Sequence, residues 1–288
     1  MRSLALDFAA SRVALAAAAL LVLLAAASLL APWIAPQNPY DLAQLDLANS
    51  RLPPGAHAAS GATFWLGTDD QGRDMLSAIL YGLRTSLTVG AVTTACALAL
   101  GVALGVTSAW AGGWFEALVM RIADLQLSFP SILIALVLLA LLGQGLDKIV
   151  AALVAVQWAY YARTARAAAL VERRKDYIEA ATALALPGRT IVLRHLVPNC
   201  LPPVVVVAGV QTAAAITLEA TLSFLGLGLP ITEPSLGLLV ANGFAYILSG
   251  QYWISVFPGA ALVVLVVAIN LSTDRLREVL DPRSRGLY

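Results

Sequence analysis

The sequence predicts an all-α polytopic membrane protein with six transmembrane helices and both termini on the cytoplasmic side. Three observations carry that prediction. The first is composition: of 288 residues, 60% are hydrophobic and 12% charged, and mean hydropathy is +0.82. A water-soluble domain carries about 25% charged residues, so this chain cannot cover a surface in water. The 18 basic and 17 acidic residues leave a net charge of +1 and no field to gather a polyanion. A soluble enzyme and a nucleic-acid binder are both excluded. The second observation is six apolar runs, each near the roughly 20 residues that cross a bilayer. The third is where lysine and arginine fall. With both termini inside, fourteen of the 18 lie on the inner side, and only Arg51, Arg73, Arg84 and Lys148 lie outside.

The first run, Val13–Leu30, follows Arg12 and stops at Pro32, Trp33 and Pro36. It is longer than the roughly 7–15 residues of a signal h-region, which favours an uncleaved anchor over a signal peptide. The second and third runs are Ser86–Trp110 and Ala117–Leu142, the latter interrupted by Arg121, Asp124 and Pro130. The fourth, Leu146–Arg166, is the least apolar, with Trp158, Tyr160 and Tyr161 as interface anchors. The fifth, Leu201–Leu229, holds one acid, Glu219, and the sixth is Trp253–Leu271. Cys96 and Cys200 belong at different depths and do not pair. His57 and His195 stand alone, so no metal site is expected.

Two connections are long. The outer one, Trp33–Thr85, is polar and rich in Pro, Gly, Asn and Asp. In it Asp69, Asp70, Arg73 and Asp74 make a charged turn ahead of a helix, where Asp69 or Asp70 serves as the cap or contacts an outside protein. The inner connection, Ala167–Cys200, reads as helix, break, helix. Val171–Leu186 has helical composition, Pro187-Gly188 breaks it, and Arg189–Val197 forms a second short helix that ends at Pro198-Asn199. Two short helices at the membrane surface form a knob that another protein can grip, or else lie flat on lipid.

The inner segment DYIEAATALALPGRTIVLRHLVPN (Asp176–Asn199) resembles the "EAA loop" of bacterial ABC importer permeases. Glu179-Ala180-Ala181 match its opening, and Leu196-Val197-Pro198-Asn199 match its end. That resemblance implies a coupling helix seated in a cleft of a cytoplasmic ATPase, with Asp176, Glu179, Ala180, Ala181, Ala185, Gly188, Pro198 and Asn199 as the coupling residues. The family usually has Gly where this chain has Ala185, so the turn is expected at Pro187-Gly188 instead.

Further segments are similar to the dipeptide/oligopeptide-type permeases, specifically their C subunit. They are WLGTDDQGRDMLSAILYGLRTSL (Trp65–Leu87), GGWFEALVMRIADLQLSFPSILIAL (Gly112–Leu136), LEATLSFLGLGLP (Leu218–Pro230) and FPGAALVVLVVAINLSTDRLREVLDPR (Phe257–Arg283). Gly67, Thr68, Asp69, Asp70, Gly72, Arg73 and Asp74 form the periplasmic motif. Leu236 stands where the subfamily commonly has Trp. The resemblance implies a type I permease fold in a bacterial inner membrane, with an N-terminal helix and periplasmic segment over 1–83. A five-helix core follows over 84–274, with the coupling loop at 167–200, and then a cytoplasmic tail over 275–288. It also implies a second homologous permease, two ATPase subunits, a periplasmic solute-binding protein and a peptide substrate. Nickel, glutathione or another small solute is the alternative cargo.

The chain carries no ATPase chemistry of its own. Its two lysines, Lys148 and Lys175, do not follow glycine, so there is no Walker A loop, and no serine sits in a nucleophile elbow. No cofactor is expected. Among acids in the spans, Glu219 either lines the pathway or a gate together with Ser223 and Phe224, or is a structural acid near the helix break at Gly226 and Gly228. As a proton site it would suit a secondary transporter, but six spans without an inverted repeat speak against that. A scaffold without transport would leave the inner loop unexplained. Asp124 is expected to pair locally with Arg121.

Overall fold

The computed structural model describes residues 7–41, 45–58, 61, 63–230 and 233–280. Helix α1, Arg12–Leu29, opens where the Ser11 hydroxyl accepts the Ala14 N–H, and the short α2, Ala31–Ile34, follows. The outer segment contains one hairpin, β1 (Ala56–His57) against β2 (Thr63–Phe64), with Ala56 opposite Phe64. Helix α3 runs over Met75–Ala111, α4 over Gly113–Leu127, α5 over Ser131–Leu142 and α6 over Leu146–Glu172. The inner loop holds α7 (Asp176–Ala183) and α8 (Gly188–Ile191). Then come α9 (Val197–Phe224), α10 (Leu236–Phe244) and α11 (Trp253–Leu280).

Among the described residues, four helical stretches are long and apolar enough to cross a membrane, and the α4–α5 pair makes a fifth if its two helices are taken as one span. The third expected span is therefore not one straight helix: α4 and α5 meet at 94° across Ser128, Phe129 and Pro130. Proline lacks the N–H that would continue the ladder, and its ring clashes with the carbonyl four residues back. Helix α6 is long enough at 27 residues, but Arg163, Arg166 and Glu172 dilute its apolar character.

The fifth span also departs from expectation. No break falls at Pro198-Asn199, because α8 passes through a π-turn, Val192–Leu196, straight into α9. A π-turn widens the helix. The widening covers Arg194, whose carbonyl lies four residues before Pro198, so the ring is admitted without ending the helix. The result is one 37-residue stretch, Gly188–Phe224. Helix α10 was not expected from the sequence at all. Its signal is Ser235, whose hydroxyl accepts the Leu238 N–H ahead of the apolar run LGLLVANGF.

The most extensive helix contact in the molecule joins α3 to α6. It is close because Gly101 and Gly105 of GVALG lie at the crossing: a Cβ on Gly101 would meet Tyr161 and the Trp158 carbonyl, and one on Gly105 would meet the Ala162 carbonyl. Without a hydrophobic force between helices in lipid, such small-residue faces let backbones approach and pack. Around this centre the outside is apolar. Val22, Leu23, Val137 and Leu141 are 60% exposed or more, the inverse of a soluble surface.

Candidate functional site

The inner loop is built onto the body of the protein. Ile178 and Ala181 of α7 are buried against Val106, Ala109, Ile191 and Leu196, whereas Asp176, Glu179 and Ala180 face outward. Asp176 and Glu179 lie in the first turn of α7, where the helix dipole favours negative charge. Ala181 therefore anchors the helix, and Ala180 is the small residue displayed. At the end of α7 the Leu186 N–H reaches the Ala181 carbonyl (3.2 Å) and the Ala185 N–H reaches Thr182 (2.9 Å). This is a Schellman closure, with Ala185 left-handed at φ 54°.

The turn is thus made at Ala185, not at Pro187-Gly188 as expected. Gly188 instead opens α8, and a Cβ there would meet the Trp110 indole at 3.3 Å.

Polar bonds fasten the loop at both flanks. Arg173 donates to the Ala109 carbonyl (2.6 Å) and lies over the Trp110 ring. Glu172 accepts from Lys175 (2.6 Å) and from the Tyr177 hydroxyl (2.7 Å). Asn199 donates to that hydroxyl and to the His195 carbonyl, so it ties the start of α9 to α7. Burial and donation to Glu172 push Tyr177 up to about 12, so the hydroxyl stays a donor at any physiological pH.

The Gly67–Asp74 motif is a second built element. Asp74 is the N-cap of α3, accepting the Ser77 N–H (2.8 Å) and hydroxyl (2.6 Å), which corrects the expectation that Asp69 or Asp70 caps the helix. Asp69 instead closes the preceding turn by accepting the N–H of Gln71 and Arg73, and it pairs with the Arg73 guanidinium at 2.9 Å. Burial pushes the Asp69 carboxyl above the usual range, outweighing Arg73 and those N–H bonds. Thr68 donates to Asn49 and accepts from Leu52, and the Trp253 indole donates to the Thr68 carbonyl. Gly67 and Gly72 are left-handed, and a side chain on either would strike Leu52 or Asp46. Gly67, Thr68, Asp69, Gly72, Arg73 and Asp74 are buried and Asp70 is half-buried, so the motif locks the outer segment onto α3 and α11.

Glu219 is fully buried. Its two oxygens accept from Ser86 of α3 (3.0 Å) and Ser223 of α9 (2.8 Å), with the Ser235 hydroxyl at the start of α10 as a third partner. Three helices thus meet at one carboxyl. Ser223 is buried with it, whereas Phe224 is 40% exposed and packs edge-on against Phe244. Asp124 pairs with Arg163 of α6 at 3.3 Å rather than with Arg121. Sequence reasoning missed Gln126, whose amide donates to the Ala155 and Val156 carbonyls and accepts from the Trp158 indole. Its polarity inside an apolar run was the available signal.

Long apolar helices with a structured helix pair at one end define a multi-pass membrane subunit. The chain belongs to the family described as binding-protein-dependent transport system inner membrane component, which matches residues 97–286. The N-terminal TM domain of oligopeptide transport permease C matches residues 2–54. Among its relatives, the probable D,D-dipeptide transport system permease protein DdpC of Escherichia coli (strain K12) is 38% identical over 258 residues, 90% of this chain and 83% of that protein. The di/tripeptide transport system permease protein DppC of Pseudomonas aeruginosa (strain UCBPP-PA14) is 34% identical over 97% of this chain and 91% of its own length. A solved structure of the MetNI methionine ABC transporter in an inward-facing conformation shares the fold. Its TM-score is 0.57 at 21% identity, and it covers 72% of this chain and 98% of that one.

Proposed function

We propose that this chain is one membrane-spanning subunit of an ATP-driven importer of di- and oligopeptides. It crosses the membrane six times, with both termini in the cytoplasm. In this reading residues 1–83 form the first helix and periplasmic segment, 84–274 the core, and 275–288 the inner tail. A second homologous permease completes the pore, a periplasmic binding protein delivers the peptide, and two ATPase subunits hydrolyse ATP. The names of the relatives support peptide cargo over nickel or glutathione. The observation that carries the reading is the α7–α8 pair: it is anchored inward through Ile178 and Ala181, and it displays Asp176, Glu179 and Ala180. ATP-driven closure of the ATPases would push on that face and move α9 with it. Alternating access follows from that motion.

The test is recovery of the ATPase with membrane-inserted variants, together with peptide uptake in vesicles. Ala180→Trp fills the displayed face, at a cost of about 1–3 kcal/mol for overpacking a close contact. It is expected to release the ATPase or to separate hydrolysis from uptake, with the chain still inserted. Normal ATPase recovery and normal uptake would refute the coupling role. Ala181→Trp is a different experiment, since it overfills the chain's own interior and is expected to lower the amount of folded chain.

A further inference from the structure

Helix α1 packs on α3 and α11, and α9 packs on the same two helices. Between the four lies a cavity of about 460 Å³, lined by Leu21 and Ala25 of α1, Leu87 and Ala91 of α3, Thr212 of α9 and Ile269 of α11. Phe8 and Leu276 line it too, so it runs toward the end of the bundle where α1 begins and α11 stops. Behind it α9 and α11 close together at Gly209, where a Cβ would strike Thr273. The shape selects a narrow occupant. From Arg12 to Ala25 is about 20 Å of helix, and the cavity volume spread along that length makes a slot about 5 Å wide. A further helix, about 10–12 Å across with its side chains, is too wide. A hydrocarbon chain, whose carbons touch their neighbours at about 4 Å, is not.

The chemistry of the slot is apolar as well. The hydroxyls of Thr212, Ser272 and Thr273 donate to the carbonyls of Ala208, Ala268 and Ile269 on their own helices, so their protons are spent. Water does not settle in such a cavity without free polar partners. At the mouth the chemistry changes. The 18 residues of α1 correspond to about 27 Å, close to the roughly 30 Å of a hydrocarbon core, so Arg12 stands at the membrane surface. The Asp7 carbonyl accepts the Arg275 guanidinium and holds it at the same end. Ile269, Ser272, Thr273 and Leu276 recur on one face of α11 and line the slot. At about 100° per residue, Arg275 and Arg277 flank that face, whereas Asp274 and Glu278 lie behind it. Arg277 is exposed and makes no ion pair among the described residues, and the Arg275 Nε has no acceptor there.

We propose that the slot binds one acyl chain of a phospholipid from the adjoining leaflet, with the lipid phosphate held at Arg275 and Arg277. The tail supplies packing contacts between α1 and α9, and the basic flanks of α11 fix the headgroup above it. Such a site needs only a membrane around these four helices, so it stands or falls independently of the peptide cargo.

The test uses the assembled complex in nanodiscs of phosphatidylethanolamine and phosphatidylglycerol, doped with a phospholipid that carries a diazirine at the end of one acyl chain. Crosslinks mapped by peptide mass spectrometry are expected to be denser at Leu21, Ala25, Leu87 and Ala91 than at Val22 and Val137, which face outward. Ala91→Phe fills the slot from α3 and is expected to bring those crosslinks down to the level at Val137, with Val137 itself unchanged. Native mass spectrometry of the detergent-washed complex is expected to show one retained phospholipid, lost in Arg277→Gln and kept in Arg277→Lys. Equal crosslinking at the slot and at Val22 overturns the site and leaves annular lipid only. Slot crosslinks that survive Ala91→Phe overturn it as well. Slot crosslinks in the isolated chain that vanish in the complex also overturn it, because another subunit then fills the space. Retention that Arg277→Gln does not alter overturns the placing of the phosphate.

Discussion

Ala185 carries the tightest backbone turn of the inner loop at φ 54°, a conformation that costs a residue with a Cβ about 1–2 kcal/mol. Ala185→Gly removes that strain and returns part of the gain as unfolded-state entropy, for a net stabilisation of about 0.5–1 kcal/mol. A raised thermal midpoint of the purified chain in detergent is expected, with ATPase recovery unchanged; a lowered midpoint would contradict the turn assignment. The sequence shows that alanine stands at this position, but the nearby glycine drew the turn to the wrong place. The hydrogen bonds that set a Schellman closure depend on where α7 stops, and composition does not reveal that. Glu219 illustrates the same limit. Its burial depth follows from the apolar run around it, but its partners lie on α3 and α10, far away in sequence. In Glu219→Gln the amide nitrogen cannot accept a serine hydroxyl, which costs about 1–3 kcal/mol if a buried donor is stranded. The expected outcome is a loss of folded chain equal to the loss of uptake, read by membrane yield and vesicle transport side by side. Full yield with lost uptake would instead place Glu219 on the pathway.

Between elements, the α3–α6 crossing is the most extensive contact among the described helices. Gly105→Leu puts a branched side chain against the Ala162 carbonyl and backbone, which leaves no flexible neighbour to give way. A destabilisation of about 3 kcal/mol or more is expected, at the upper end of overpacking, and it should appear as a collapse of monodisperse protein in size-exclusion chromatography. Leu100→Ala, at a 43% exposed position on the same helix, should be tolerated by comparison. Spans α1, α3 and α11 were legible because length and apolarity coincide in them. The start of α9 was not legible, because Pro198 reads as a stop and only the π-turn before it lets the helix continue. The break at Pro130 was visible as an interruption, whereas its 94° angle and the Gln126–Trp158 bond that ties α4 to α6 are tertiary features that the run itself does not show.

At the scale of the molecule, the proposed orientation rests on arginine and lysine alone, since the insertion rule acts on loop charge rather than on packing. Trp65 is 69% exposed in the outer segment, and Lys175 is exposed in the inner loop. In a background without Cys96 and Cys200, Trp65→Cys should react with an impermeant thiol reagent in intact spheroplasts and Lys175→Cys should not. The reverse pattern would invert the topology. The Gly67–Asp74 motif was legible as a motif but not as a lock, because its polar side chains are spent on the chain's own backbone. Its likeness to known permeases carries no information about that inward use.

The unbroken stretch from Gly188 to Phe224 has a mechanical consequence. Its 37 residues correspond to about 55 Å of helix, and if the stretch turns as one body a rotation of about 5° about its inner end carries the other tip about 5 Å. The tip is not free to swing alone, because the Glu219 carboxyl near it is shared with Ser86 and Ser235. In the proposed importer, a torque applied at the inner knob would be delivered as displacement to α10 on the far side, as by a crank whose throw is set by helix length and whose pin is the single Glu219 carboxyl.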